Sequence, residues 1–426
     1  MNQTARRITR YAWFVVALLW PVALLNYLDR QMLAAMKLSV TRDIQGMGLE
    51  ANWGFLLGSF KWVYAGLSPI GGYIADRFSR RYAIAGSLFV WSAITWATGH
   101  VGTYEQLVAA RALMGISEAF YIPAALAMIT DYHPGSTRSR AVGLHQMGIY
   151  TGVILGGFSG YFADNTNLGW RFAFTACGSV GALYAIPLWF LLKNPARSAQ
   201  EAPSAGRTSP ATAIRDLLSN TSFILLVLCF TLPALAGWIV RDWMPAILQK
   251  QFNLSQGHAG VSATLYWQLG ALVGAVFGGW LADHWVRRTP RGRIYVSALG
   301  MGLLIPAIFG LGNAGALAGA VIFLALFGLG WGFFDCNNMP ILCQIVRPEL
   351  RATGYGIMNF VSIGCGGFAD WGFGTLQDHH VPLNVIFGVF AAAVIVSVGL
   401  MLLIRPKPVT TVLKKPEPSV KSPYSA

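Results

Sequence analysis

Gly71-Gly72-Tyr73-Ile74-Ala75-Asp76-Arg77-Phe78-Ser79-Arg80-Arg81 returns 207 positions later as Gly278-Gly279-Trp280-Leu281-Ala282-Asp283-His284-Trp285-Val286-Arg287-Arg288. Two further pairs keep nearly the same offset. Arg140-Ala141-Val142-Gly143 matches Arg351-Ala352-Thr353-Gly354 at 211, and Gly156-Gly157-Phe158 matches Gly366-Gly367-Phe368 at 210. In a chain of 426 residues these offsets imply duplication of a unit close to half its length. Repeats of this kind mark secondary transporters, which place the substrate near the midplane between the repeats.

The composition around the repeats fits a membrane protein. Hydrophobic residues make up 55% and charged residues 11%, against about 25% charged in a soluble domain. Twelve apolar stretches are predicted as membrane helices, near 13–36, 52–74, 83–99, 105–130, 140–162, 170–192, 221–248, 258–282, 293–312, 315–343, 352–376 and 382–404. The expected fold is therefore all-α and polytopic, with twelve transmembrane helices in two pseudo-symmetric six-helix bundles. Residues 1–192 form the first bundle and 221–405 the second. The polar segment 193–220, with Pro195, Pro203, Gly206, Ser209 and Pro210, links them, and the Pro-, Lys- and Ser-rich tail 406–426 is expected to be disordered.

The formal charge of +14 is distributed by side rather than gathered into a nucleic-acid surface. Under this helix assignment 23 of the 31 Lys and Arg fall on one side, and only Lys37, Arg42, Arg171 and Lys250 on the other. Basic loops collect in the cytoplasm. Both termini are therefore expected there, in a multi-pass protein of the inner (plasma) membrane that works as a monomer. The first apolar run reads as a retained helix, because it is long and contains Asp29 and Arg30. Cys177, Cys229, Cys336, Cys343 and Cys365 all lie in apolar runs without CxxC spacing, so they read as packing residues. No phosphate-binding loop, HExxH or dinucleotide pattern is present, so no cofactor and no enzyme activity are expected.

Embedded charges point to a site. A charge at membrane depth costs about 2.5–3.5 kcal/mol on insertion scales, yet Asn26-Tyr27-Leu28-Asp29-Arg30-Gln31 lies inside the first apolar run. Asp29 and Arg30 project about 100° apart on a helix, so only one of them faces a given spot. Arg111 and Glu118 are two turns apart on one face and can border one cavity. Desolvation disfavours an ionised carboxylate and a nearby guanidinium opposes this. An anion that occupies the guanidinium can thereby decide whether a carboxylate holds a proton. The alternative is a permanent ion pair between helices 1 and 4. Lys61 and Tyr64 share a face and suit a hydroxylated carboxylate, unless Lys61 pairs with Asp29 or snorkels. His145 and Gln146 lie well inside helix 5 and can reach the cavity, unless His145 serves packing or hydrogen bonding. Arg241-Asp242-Trp243 precedes Pro245 in helix 7 and reads either as a gate or as an interfacial anchor. Asp335, Asn337, Asn338 and Asn359 offer hydrogen-bonding groups in helices 10 and 11, or else serve helix packing.

The Gly71–Arg81 stretch resembles the loop signature of the major facilitator superfamily, and the resemblance extends over essentially the whole chain. It implies that Asp76, Arg77 and Arg81, with Asp283 and Arg287 in the repeat, form a charge network that holds the outward-facing state. Within the superfamily, Asn26-Tyr27-Leu28-Asp29-Arg30, Arg111-Ala112-Leu113-Met114-Gly115-Ile116-Ser117-Glu118-Ala119 followed by Pro123, and Gly169-Trp170-Arg171-Phe172-Ala173-Phe174 resemble the anion:cation symporters. That resemblance implies proton coupling at Asp29 and Glu118 and substrate binding at Arg111, with Tyr27, Tyr64 and Asn359 as substrate contacts. Lys61, Gln146, Asn337 and Asn338 join them as substrate-binding candidates. The Asp335–Pro340 segment, Lys61 and Arg241-Asp242 depart from the family pattern. The leading expectation is proton-coupled symport of a small organic anion, a sugar acid such as a hexuronate or aldonate, with protons and the lipid bilayer as its other partners. Organophosphate:phosphate exchange is the alternative, since Arg30 and Asp242-Trp243-Met244-Pro245 resemble elements of that family. A receptor or sensor on a transporter scaffold is the remote one.

Overall fold

The computed structural model describes residues 3–77, 79–133, 137–194, 210–347 and 350–406. Among the described residues there is no strand. The helices are α1 (Gln3–Ala35), α2 (Lys37–Asp43), α3 (Glu50–Arg77), α4 (Arg80–Thr98), α5 (Tyr104–Glu118), α6 (Tyr121–Tyr132), α7 (Arg138–Gly157), α8 (Gly160–Asp164), α9 (Gly169–Leu191), α10 (Pro210–Leu218), α11 (Thr221–Phe252), α12 (Gln256–Val286), α13 (Gly292–Gly312), α14 (Leu317–Ile345), α15 (Arg351–Asp378) and α16 (Leu383–Leu403). Among the described residues, eight helical segments are long and apolar enough to cross a membrane, counting α5 and α6 together as Tyr104–Tyr132. Between them in chain order stand α3, α4, α7 and α15, whose charged, polar and small residues dilute their hydropathy.

Two spans expected to be continuous are divided. The fourth breaks after Glu118, because Pro123 has no N–H to donate and its ring crowds the carbonyl one turn back. The fifth turns at Phe158-Ser159 between α7 and α8. Inside the expected polar linker, Pro210–Leu218 is a helix that packs against α11 and α15.

Close backbone approach holds the helices of each half together. A Cβ at Gly152 of α7 would lie 2.2 Å from the Leu24 carbonyl oxygen of α1. In the second half a Cβ at Gly274 of α12 would lie 2.2 Å from that of Leu329 in α14. Small residues at such crossings supply the van der Waals contact that replaces the hydrophobic effect in lipid.

The halves meet in the same way. A Cβ on Gly54 of α3 would lie 2.3 Å from the Asp370 carbonyl oxygen of α15, and one on Gly374 would lie 2.2 Å from that of Glu50. Two carboxylates then cap helices of the opposite half. Asp378, at the end of α15, accepts from the Glu50 and Ala51 N–H groups of α3, each at 2.8 Å. Asp164, at the end of α8, accepts from the Gln256 and Gly257 N–H groups of α12 at 3.1 and 2.8 Å. Each supplies acceptors and negative charge to a helix start that has unpaired donors and a positive dipole end. Among the described residues every side-chain hydrogen bond between the halves lies towards this face, which carries few basic residues. Side chains join the halves there, while none of these bonds lies near Asp335 and Tyr355, towards the basic face.

Candidate functional site

Arg30 of α1 donates from Nε to Oε2 of Glu118 at 2.6 Å, and its Nη2 lies 2.6 Å from the same oxygen. The break after Glu118 puts this carboxylate at the end of α5 against α1, fully buried. Both short contacts fall on one oxygen, which leaves Glu118 Oε1 buried without a hydrogen-bond partner. The rings of Tyr27, Phe60 and Tyr64 box the Arg30 guanidinium at 4.8, 4.8 and 4.9 Å. Cation–π contact of this kind gains strength where water is excluded.

One layer away, Asp29 is 1% exposed. Its Oδ2 accepts from the Thr95 hydroxyl of α4, while Oδ1 has no partner. Arg111 is also buried, lies 5.1 Å from the Phe60 ring centre and donates from Nη1 to the Met114 sulfur at 3.1 Å. Its Nε is unpartnered, and no carboxylate closes an ion pair with it among the described residues. Asp29, Glu118 and Arg111 are all buried and act on one another electrostatically. The carboxylate that an embedded arginine was expected to engage goes to Arg30 instead.

The second half contributes Arg241 of α11. Its guanidinium lies 5.0 Å from the Tyr27 ring and 5.5 Å from that of Trp238, and no described carboxylate pairs with it. Tyr27 thus has Arg30 and Arg241 over its ring, one from each half. Towards the basic face the lining turns to tyrosine. Tyr355 lies near Asn359 and Tyr150 near Gln146, with Asp335 close to both phenols. Tyr64 is buried against Phe60, with its ring stacked at 5.8 Å.

Other candidates lie apart from this chamber. Lys61 is tied to the second half: its Nζ donates to Asp242 Oδ2 at 2.5 Å and also to Asp370, with the Trp238 ring 4.2 Å away. Asn337 turns back on its own helix, bonding the Phe333 carbonyl at 2.9 Å. Asn338 reaches Asp335 at 3.4 Å. His145 is buried and meets the Tyr121 hydroxyl at 2.9 Å. The side chains of Asp76 and Arg77 lie outside the described residues. Arg81 donates to the Trp189 carbonyl at 2.7 Å, which ties α4 to α9. Asp283 pairs with Arg293 at 3.2 Å rather than with the exposed Arg287. Sequence reasoning missed Thr95, Phe60, Trp238, Tyr150 and Tyr355. None carries charge, and aromatics are common throughout this chain, so no local signal separates them from packing residues.

A helical protein with two repeated halves and a buried charged chamber between them is by class a membrane transporter. The chain belongs to the Major Facilitator Superfamily, whose family model matches residues 19–369. It is 28% identical over 371 residues to Protein spinster of Drosophila melanogaster, covering 84% of this chain and 60% of that protein's length. It is equally 28% identical over 377 residues to an MFS-type efflux pump of Mycolicibacterium smegmatis, covering 87% and 85%. Among solved structures, a bacterial homologue of the human lysosomal transporter Spinster, inward-facing and unoccupied, superimposes with a TM-score of 0.77 at 21% identity, covering 93% of this chain and 99% of the other. A D-xylose-proton symporter superimposes with 0.72 at 16% identity, covering 93% and 98%. These two likenesses are of fold.

Proposed function

We propose that this chain couples the movement of a small organic anion to that of protons by alternating access, with the basic face in the cytoplasm. The observation that carries the proposal is a set of buried, unfulfilled groups that act on one another electrostatically: Asp29 Oδ1, Glu118 Oε1 and Arg111 Nε all lack partners. The guanidinium is placed to take an anion and the carboxylate oxygens to take protons. Arg241, unpaired and half-buried over Tyr27, offers the anion a second contact from the opposite half. Substrate bound between Arg111 and Arg241 would weaken the electrostatic support those cations give the carboxylates, so that proton and anion stabilise the same loaded state. Linkage makes that stabilisation reciprocal. Arg30, the cation on which the phosphate-exchange reading relies, is already neutralised by Glu118, which favours symport. The resemblance to anion:cation symporters favours hexuronates and aldonates, and the aromatic lining also suits anions with an apolar part. The relative described as an efflux pump makes outward transport a direction to be measured. The test is flux in proteoliposomes with labelled hexuronate, aldonate and alkyl carboxylates, each with and without a proton gradient. Accumulation of at least one anion that collapses with the gradient supports the proposal; gradient-independent flux of every anion overturns it.

A further inference from the structure

Lys61, Asp242 and Asp370 form a second buried charge cluster, with the Trp238 ring shared between Lys61 and Arg241. Lys61 belongs to α3 in the first half, while both carboxylates, on α11 and α15, belong to the second. Side-chain exposures are 4% for Lys61, 12% for Asp242 and 0% for Asp370. Asp370 Oδ2 faces the ammonium, but Oδ1 is buried without a hydrogen-bond partner. Two carboxylates therefore share one ammonium where water is scarce.

Other charges near the cluster do not complete the balance. Arg241, next to Asp242 in the chain, directs its guanidinium to Tyr27 and Trp238. Arg111 of α5 acts on Asp242 only through space. Lys37 of α2 lies 4.6 Å from the Trp243 ring and is paired with Glu50 at the start of α3. Arg30 of α1 is held by Glu118.

We propose that Lys61, Asp242 and Asp370 form a proton-binding latch between the halves, separate from Asp29 and Glu118, which holds one proton while this face is closed and releases it when the face opens. In the closed state one proton on the dyad leaves a neutral set: ammonium, carboxylate and carboxylic acid. When the halves part, Lys61 departs with the first half and water reaches both carboxylates, which then ionise. The closed state binds one proton more than the open one, so acid favours closure. Between the midpoints of the open and the closed dyad the closed-to-open ratio then falls by up to tenfold per pH unit, and outside that window the ratio is flat.

The experiment measures the distance between nitroxide labels at Asn167 and Asn313, exposed residues on the closed face of opposite halves. The native cysteines are replaced by alanine, and pH is varied without substrate. The parent carries Asp29→Asn and Glu118→Gln, which silences the carboxylates of the proposed transport site. The expected result is a long-distance population that grows with pH in this parent. Adding Asp370→Asn leaves a one-to-one Lys61–Asp242 pair, and the population should become independent of pH with the face closed. Adding Lys61→Met instead should favour the open face at neutral pH and steepen its closure by acid, because two carboxylates must then be neutralised. A flat profile in the parent, or an unchanged slope after Asp370→Asn, overturns the proposal. Should the parent still accumulate anion under a proton gradient, the roles assigned to Asp29 and Glu118 fail while the latch is judged on its own distances.

Discussion

At the scale of single residues, the chamber pairs what can be paired and leaves a few groups free. Arg30 and Glu118 link α1 to α5, and Arg111 is left without a carboxylate partner among the described residues. Arg111→Ala is therefore expected to abolish anion binding in a well-folded preparation. Loss of one partner in a buried charge pair costs about 2–5 kcal/mol, and calorimetric titration would show it; wild-type affinity would make Arg111 structural. Arg30→Ala has a different expected signature. It strands a buried carboxylate, for which about 3–5 kcal/mol of destabilisation is typical. Thermal unfolding should fall sharply and recover when Glu118→Gln is added. The coupling role proposed for Asp29 and Glu118 predicts a third behaviour. Asp29→Asn and Glu118→Gln should each lose gradient-driven accumulation, while at least one keeps counterflow exchange, which need not return an empty, deprotonated carrier. If both variants still concentrate anion, neither carboxylate is the coupling site. Asp29, Arg111 and Glu118 were legible in the sequence because a charge in an apolar run is itself a signal. Their pairing was not, because the choice between Arg30 and Arg111 for Glu118 depends on how α5 ends and rotates against α1.

At the scale of elements, the closed face rests on helix starts of one half capped by helix ends of the other. Asp378 satisfies two N–H groups of α3, and Asp164 does the same for α12. An N-cap carboxylate typically contributes about 0.5–2 kcal/mol. Here that free energy exists only while the halves touch, so it biases conformation rather than folding. Asp378→Ala and Asp164→Ala should each shift the molecule towards opening at this face with little change in unfolding temperature. The measurement is alkylation of a cysteine at Ala51, close to the cap: faster labelling in Asp378→Ala is expected, and an unchanged rate would show that glycine packing alone closes the face. The caps were invisible in the sequence, where Asp164 and Asp378 are ordinary acidic loop residues. The helix break after Glu118 had a visible cause in Pro123, but a proline in an apolar run gives a kink or a break with the same letters. Contact with α3 and α4 decides between them.

At the scale of the whole molecule, the duplication was readable because both copies of the Gly-Gly…Asp…Arg stretch survive at one offset. The conformation was not readable, because opening at one face or the other uses the same helices with the same ends. Lys61 shows the limit most clearly. Its neighbours in sequence suggested a ligand contact, whereas its partners, Asp242 and Asp370, lie 181 and 309 positions away. Interfaces of this kind are exchanged during transport if the halves rock as rigid bodies about the chamber. Ser39 and Gln256 make that testable. They belong to opposite halves, with the Gln256 amide donating to the Ser39 hydroxyl at 2.6 Å and accepting from the Ser39 N–H at 3.0 Å. In a background free of other cysteines, Ser39→Cys/Gln256→Cys is expected to cross-link with oxidant or a short bifunctional thiol reagent. The bond should hold this face shut while leaving the chamber open from the basic side. Anion binding should therefore survive, flux across the membrane should stop, and reduction of the disulfide should restore it. Each single-cysteine variant under the same oxidant controls for damage to the site. Full flux through a completely cross-linked population would mean that this face need not open, and rocking of the halves about the chamber would not be the transport cycle of this chain.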